Sequence, residues 1–368
     1  MRAGTRRTLQ LLQRRFDQLR RLQVRLRLPA ANYFEAFGAR YFLPLRAKQA
    51  KPCKHVPVRV REYLAGFFDG DGCVQASGGR PMLTVRQTQS SSNVLLFIRN
   101  VLGGGVGRQT ATVGLCRPTL QWYICGEKAR RAAALLLGSS SCKHSQLAIA
   151  SEWRRHLQLQ TCALADLKRL KREEHPPASC PSWNYLAGFF DAEGCIMARR
   201  PAYLSLEIWQ KHPQVLQAIK AFLAARGVHG SIYTDGRMSH YRLHITRTAD
   251  CKYVLASLVA AGLRTKRNAA RIAMSICRQN FLEARRNLQA ESGNQARYRR
   301  LSSLGLARAQ EIERLRQKLG RAEGQQHAQL ESQLLALRED HAVKRAQERL
   351  FLLRSDIRSL LAEGACRA

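Results

Sequence analysis

The sequence predicts an α+β chain with two pseudo-symmetric repeats, each reading helix, two strands, helix, two strands, helix (αββαββα), followed by a helical C-terminal tail. Three observations carry this. The segment Tyr63-Leu-Ala-Gly-Phe-Phe-Asp-Gly-Asp-Gly-Cys73 returns as Tyr185-Leu-Ala-Gly-Phe-Phe-Asp-Ala-Glu-Gly-Cys195, changed only where Gly70 and Asp71 become Ala192 and Glu193. The same succession of apolar patterns follows each copy. Beyond about residue 280 the chain turns charge-dense, with Ile312, Leu315 and Leu319 at helical spacing.

The elements follow in order. Residues 1–55 form a basic extension in which Asp17 and Glu35 are the only acids. An organelle transit peptide, an arm that touches phosphate, and leftover reading frame all fit that composition. The first repeat spans 56–160. Its opening helix covers Arg61 to Asp69, and Leu83-Thr-Val-Arg-Gln87 alternates as a strand. A helix over Val94–Leu102, a turn over Gly103–Gly107, two further strands and a closing helix from near Cys142 complete it. A charged linker holding Pro176, Pro177 and Pro181 occupies 161–182.

The second repeat, 183–279, carries the same sequence of signals. Leu206-Glu-Ile-Trp-Gln210 parallels the first strand, Val215–Leu223 the helix and Gly227–Gly230 the turn. Strands over Ser231–Thr234 and Tyr241–Thr246 flank an Asp235-Gly236 hairpin signal, and a closing helix starts near Thr265. Residues 280–368 read as a long amphipathic, partly coiled-coil tail. A solvated charged helix and a dimer- or RNA-binding surface both fit it.

Composition narrows the function classes. The 368 residues suffice for two or three domains, and 45% are hydrophobic, enough for a sizeable core. Lys and Arg number 62 against 26 acids, a formal charge of +36. Such an excess calls for a polyanion, nucleic acid or an anionic membrane surface. No apolar run approaches the roughly 18 residues of a spanning helix, so no membrane is expected as a partner. The 11 cysteines are scattered, odd in number and without a C-x-x-C pair, which reads as free thiols and argues against zinc.

The repeated motif has a physical reading of its own. Gly66 and Gly70 lie four apart and share a helix face, as do Gly188 and Ala192. Glycine in a helix interior costs about 1 kcal/mol against alanine. Its recurrence in both copies implies close backbone approach, most simply of one copy to the other across a pseudo-two-fold axis. Asp69 and Asp71, and Asp191 and Glu193, then fall at helix C-termini, where the dipole disfavours carboxylates. Acids meeting from both copies need a proton or a cation, and oxygen ligands suit Mg²⁺. Asp69 and Asp191 equally fit a role as solvated turn caps. Gly72 and Gly194 are placed to end the helices at the position after the cap.

Leu64-Ala-Gly-Phe-Phe-Asp-Gly-Asp-Gly72 and Leu186-Ala-Gly-Phe-Phe-Asp-Ala-Glu-Gly194 resemble the two signature motifs of a monomeric LAGLIDADG homing endonuclease, with Phe-Phe in place of the aliphatic pair. The resemblance covers roughly residues 60–280 and neither terminus. It implies two four-stranded antiparallel saddles straddling double-stranded DNA, with a monomeric functional core. It also implies that Asp71 and Glu193 bind the catalytic metal, that Gln87 and Gln210 orient water, and that Lys143 and Lys266 lie near the scissile phosphates. Each acid would serve one strand, giving a double-strand break. The family's habit, with the Arg-rich N-terminus, points to an organelle, chloroplast or mitochondrion. No intein-splicing blocks flank the repeats, so an intron-encoded or free-standing enzyme is expected.

Strand alternation separates two sheet faces. Leu83, Val85, Leu206 and Ile208 are expected under the helices. Thr84, Arg86, Thr88, Ser205, Glu207 and Trp209 point the other way, joined by Arg108, Thr110, Gln121, Tyr123, Arg242 and His244. Arg86, Arg108, Arg242 and His244 are the expected DNA contacts on a face suited to the major groove. An RNA maturase or intron-splicing factor on the same fold, with intron RNA as partner, is the alternative function. Retention of both Asp71 and Glu193 favours cleavage.

Overall fold

A computed structural model describes residues 3–108, 112–139, 142–154, 156–173, 181–199, 202–235 and 240–367. Thr110, Pro176, Pro177 and Gly236 lie outside the described residues. The chain opens with α1 (Ala3–Gln23) and β1 (Leu26–Arg27), then a hairpin, β2 (Tyr33–Ala36) and β3 (Ala39–Phe42). The first repeat runs α2 (Val58–Asp71), β4 (Gly72–Ser77), β5 (Arg80–Thr88), α3 (Ser92–Leu102), β6 (Gly105–Arg108), β7 (Thr119–Cys125), α4 (Glu127–Leu137) and α5 (His144–Ser151). After α6 (Leu157–Leu170) the second runs α7 (Trp183–Glu193), β8 (Gly194–Arg199), β9 (Tyr203–Gln210), α8 (Gln214–Ala224), β10 (Ser231–Asp235), β11 (His240–Ile245), α9 (Thr248–Ala260) and α10 (Arg267–Met274). The chain ends with α11 (Phe281–Glu291), α12 (Ser303–Leu319), α13 (Gly324–Ala362) and β12 (Cys366–Arg367).

Each repeat builds one antiparallel sheet. The strand orders, β4-β5-β7-β6 and β8-β9-β11-β10, are the same pattern twice. The registers match as well: Gly72 faces Val85, and Gly194 faces Ile208. Leu83, Val85, Leu206 and Ile208 are buried as the alternation requires. Each repeat ends in two helices where the sequence showed one closing helix. The added ones, α4 and α9, bury Ala129, Ala132, Ala133 and Leu136, and Cys251, Val254, Leu255 and Leu258. Gly105 to Gly107, expected within a turn, form strand β6 together with Arg108, which was expected on a strand.

Two compact units divide the chain. One holds 31–109 and 118–292, and the other 1–30, 110–117 and 293–368. Three expected boundaries therefore move. Residues 31–55 belong with the repeats, since Phe34 is fully buried and stacks on Tyr41 at 5.3 Å. Residues 161–170 of the linker expected over 161–182 belong to helix α6, which buries Leu167 and Leu170. The tail begins near 292 rather than 280, because α11 buries Phe281, Ala284 and Leu288 in the main core.

The smaller unit replaces both the free basic arm and the solvated tail. Apolar residues of α1 at helical spacing face α13, and Phe16 is buried with Leu350, Leu353, Ile357 and Leu360. The end strands β1 and β12 pair antiparallel. Arg297 donates two hydrogen bonds to Asp356, at 2.9 and 2.8 Å, and the Tyr298 hydroxyl donates to the same carboxylate at 2.8 Å. Gln23 donates to the Tyr298 oxygen at 2.6 Å, so Tyr298 links the buried polar groups of α1 and α13. Ile312, Leu315 and Leu319 on α12 are half-buried.

Candidate active site

Helices α2 and α7 lie face to face through their small residues. A Cβ added at Gly66 would land on the Tyr185 carbonyl oxygen, and one at Gly188 on the Tyr63 carbonyl oxygen. One at Gly70 would strike the Ala192 methyl. The sequence spaces these positions by four, so they fall on one face, and their lack of side chain lets the backbones touch. Phe67 and Phe189 are fully buried beside this contact. Gly72 and Gly194 do not end the helices in a left-handed conformation: their φ values are −77° and −73°, and both begin strands. A side chain at either would run into the ring of Phe68 or Phe190, so crowding, not backbone freedom, requires glycine there.

The helix ends carry two kinds of acid with different partners. Asp69 and Asp191 are buried, not solvated turn caps. Asp69 accepts from the Cys142 and Lys143 amides, each at 3.0 Å, and so ties the end of α2 to the start of α5. A third donor crosses the axis, where the Tyr185 hydroxyl donates to Oδ2 at 2.8 Å. Asp191 repeats this. It accepts from the Arg264 amide at 2.6 Å, the Lys266 amide at 2.8 Å and the Tyr63 hydroxyl at 2.7 Å. Burial, and then the Asp191 charge, push the Tyr63 phenol well above its ordinary range, so it stays a donor.

Asp71 and Glu193 end the same helices, half-buried, and each is held by the glutamine of its own sheet. Gln87 donates to Asp71 Oδ2, and Gln210 to Glu193 Oε1 at 3.0 Å. Burial raises both carboxyls above the usual carboxylate range. For Glu193 the next cause is the Asp71 charge, which places the two acids within electrostatic reach of each other. Lys266 and Lys143 oppose the rise at Asp71, and its hydrogen bond from Gln87 does too.

The two lysines answer the problem that helix C-termini pose for acids. Lys143 Nζ donates to the Phe68, Asp69 and Gly70 carbonyl oxygens at 2.9, 2.5 and 3.0 Å. Lys266 Nζ does the same for Phe190, Asp191 and Ala192 at 2.8, 2.6 and 3.2 Å. An ammonium on the last carbonyls offsets the negative end of the dipole. Burial lowers both lysines from their ordinary value, while the surrounding acids pull them back up. The sequence pointed to these lysines through the resemblance only, and their capping role went unseen. Tyr63 and Tyr185 were missed as partners, although both stand in the repeat as its opening residues.

The expected DNA-facing residues are placed unevenly. Arg86 is exposed. Arg108 is exposed, and its Nη2 donates to the Leu43 carbonyl at 3.2 Å. Arg242 pairs with Glu207 at 3.1 Å, and its guanidinium lies 5.1 Å from the Trp209 ring centre and 5.6 Å from that of Tyr233. His244 Nε2 lies 3.6 Å from the same Glu207 oxygen. Thr84, Ser205 and Glu207, expected on an open face, are buried. The middle of β5 and β9 is thus covered on both faces.

Asp71 and Glu193 fit a hard divalent cation as a pair of oxygen donors, both raised by burial and Glu193 also by the Asp71 charge. Among the described residues no third His, Cys, Asp or Glu joins them, so water or substrate oxygens would complete a coordination shell. The described cysteines are free thiols, with Cys251 buried and pushed up to about 12 chiefly by desolvation. No helix among the described residues is long and apolar enough to cross a membrane.

A LAGLIDADG-like domain model matches residues 59–107 and 182–257. No curated protein matches the chain. Among solved structures, I-SmaMI bound to uncleaved DNA target in the presence of calcium ions is 14% identical, covers 64% of this chain and 98% of its own, and gives a TM-score of 0.45. I-AabMI bound to uncleaved DNA is 15% identical, covering 63% and 92%, with a TM-score of 0.44. The LAGLIDADG homing endonuclease I-GzeII in complex with DNA target is 11% identical, covering 63% and 96%, with a TM-score of 0.43. Residues 59–107 and 182–257, one stretch from each half of the core, are thus similar to a LAGLIDADG-like domain.

Proposed function

We propose that the core is a site-specific DNA endonuclease that hydrolyses both strands of a duplex with a divalent cation, Mg²⁺ by the chemistry of its donors. One observation carries the reading: twin helices from the two halves each bring a carboxylate, Asp71 and Glu193, to a common centre where each raises the need for a counter-charge. The LAGLIDADG-like match over both halves and the formal charge of +36 support it.

Asp71 and Glu193 would hold the cation. Bound there, it would supply an activated water and neutralise charge on the phosphodiester. Gln87 and Gln210 fix the orientation of the two carboxylates through their hydrogen bonds. Lys143 and Lys266 place an ammonium beside each acid while holding the helix end that presents it. Arg86 and Arg108 are available to phosphate or base edges on the exposed sheet surface. Arg242 and His244 are engaged with Glu207 and would exchange that partner for DNA.

The test is cleavage of a randomised duplex library by the purified protein with Mg²⁺, sequenced at the cut ends. A unique duplex break that needs the cation is expected. Intact duplex under all cation conditions would end the reading. A second reading, an RNA maturase, draws on α1, where Arg7, Arg14 and Arg21 recur every seventh residue, exposed and opposite the packed Phe16. The helical unit that carries them holds none of the site residues. Splicing of an intron transcript by protein with both acids substituted would favour that reading.

A further inference from the structure

In the first half a cavity of about 570 Å³ opens between the segment before α2, the start of α2, the end of α3 and the outer face of α4. Lys54, His55, Arg61, Lys128 and Arg131 line it, over a floor that includes Val101, Leu102 and Leu135. No carboxylate is among its lining residues. Glu127 stands outside, 3.7 Å from Arg131 Nε on the exposed face of α4. Arg61 Nε is shielded from solvent and, among the described residues, has no hydrogen-bond partner. The Arg61 Nε–H is thus a donor that no protein acceptor satisfies.

The second half shows what this location becomes when it has no ligand to hold. The repeat aligns Arg61 with Trp183, Val101 with Phe222 and Arg131 with Tyr253. There the three counterparts close on one another: Trp183 meets Phe222 at 5.2 Å and Tyr253 at 6.0 Å, both edge to face. Lys128 likewise aligns with Asp250, an acid that accepts from the His229 amide at 3.2 Å. One half thus fills the site with aromatic rings, while the other keeps it open, basic and apolar-floored.

We infer that this cavity binds a nucleotide, its phosphate on Arg61, Lys128 and Arg131 and its ring on the apolar floor. The volume falls within the range of small-ligand sites, about 300–1,000 Å³. The cluster of like charges calls for an anion, and the floor calls for a ligand with an apolar ring as well as a phosphate. The ligand is either a free nucleotide or a nucleotide unit of a single strand; the shared chemistry is the phosphate with its base. This site uses none of the residues assigned to cleavage.

Calorimetric titration of the full chain tests it, with adenosine monophosphate, inorganic phosphate and a short 5′-phosphorylated oligothymidylate as probes. The monophosphate should bind at least about tenfold more tightly than inorganic phosphate, because only it covers the floor. Arg61→Trp, which copies the second half, should weaken it by about tenfold or more by removing a charged donor and filling the cavity, with duplex cleavage unchanged. Arg131→Tyr, on the exposed rim, makes the same test should Arg61→Trp fail to fold. An oligonucleotide that outcompetes the monophosphate, with an advantage lost in the variants, identifies a strand as the source; equal affinity identifies a free nucleotide. Absence of saturable binding by either nucleotide probe, nucleotide no tighter than phosphate, or unchanged affinity in a folded variant would overturn the inference.

Discussion

Near the pseudo-two-fold axis the two halves use the same contacts. Asp69 and Asp191 each hold the amides that open a late helix and accept a tyrosine hydroxyl from the opposite half. Lys143 and Lys266 each cover three carbonyls. Further out the halves part company. The place that is a basic cavity around Arg61 and Arg131 is an aromatic cluster of Trp183, Phe222 and Tyr253 in the other. Buried Thr84 in one sheet corresponds to buried Glu207 in the other, with Arg242 attached. Residues at the axis touch the opposite half, so a change on one side meets the other half at once. Residues away from it answer only to their own half and can diverge.

The largest expected effect breaks that equivalence at the centre. Asp71→Asn or Glu193→Gln should each lower duplex cleavage by at least about 10²-fold, the scale of losing one group dedicated to transition-state charge, while DNA binding in a gel-shift assay is retained. If each variant instead nicked one strand at full rate, the two acids would serve separate strands independently. Gly66→Ala and Gly188→Ala come next. Both should cost about 1–3 kcal/mol or more in denaturant unfolding, because each new methyl meets a carbonyl of the partner helix. A large difference between them would show that the contact is less symmetric than the geometry implies.

Tyr63→Phe and Tyr185→Phe should each cost about 1–3 kcal/mol, since a buried carboxylate loses one donor and keeps its amides. Unequal losses would rank the two crossings. The smallest effect is pH-dependent. The carboxyls of Asp71 and Glu193 are raised in the folded chain, so the fold binds more protons there than the unfolded chain does. Their contribution to cation-free stability is fully present below the unfolded carboxylate range and is lost as pH rises through the raised folded values. Asp71→Asn should therefore flatten the decline in cation-free melting temperature across that window. Added Mg²⁺ should flatten it in the parent protein and not in a variant lacking both acids.

Much of the centre is legible in the sequence. A near-verbatim repeat requires two similar units, and glycines recurring at a four-residue interval require a helix face that another backbone touches. The alternation around Leu83 and Leu206 was enough to assign buried strand positions, because a strand's side chains change face at every residue. What escaped were features made by residues distant in sequence. Nothing local to Lys143 shows that its ammonium reaches three carbonyls of α2, or that Asp69 looks across the axis to Tyr185. Helix α4 gives a weak apolar signal because its buried face is largely alanine, whereas the apolar signal of α9, which buries Val254, Leu255 and Leu258, is present and was missed.

The sequence by itself determined the duplication, the α+β class, the basic character and the identity of the paired acids, since each of these is written in residue type and short spacing. Tertiary structure alone decided that residues 1–30 and the tail form one helical unit, that Asp69 and Asp191 are buried, and that one half leaves a basic cavity open where the other packs aromatic rings edge to face. Those outcomes depend on which surfaces meet after folding. Burial and the field of neighbouring charges are properties of that meeting, and no single stretch of chain contains them.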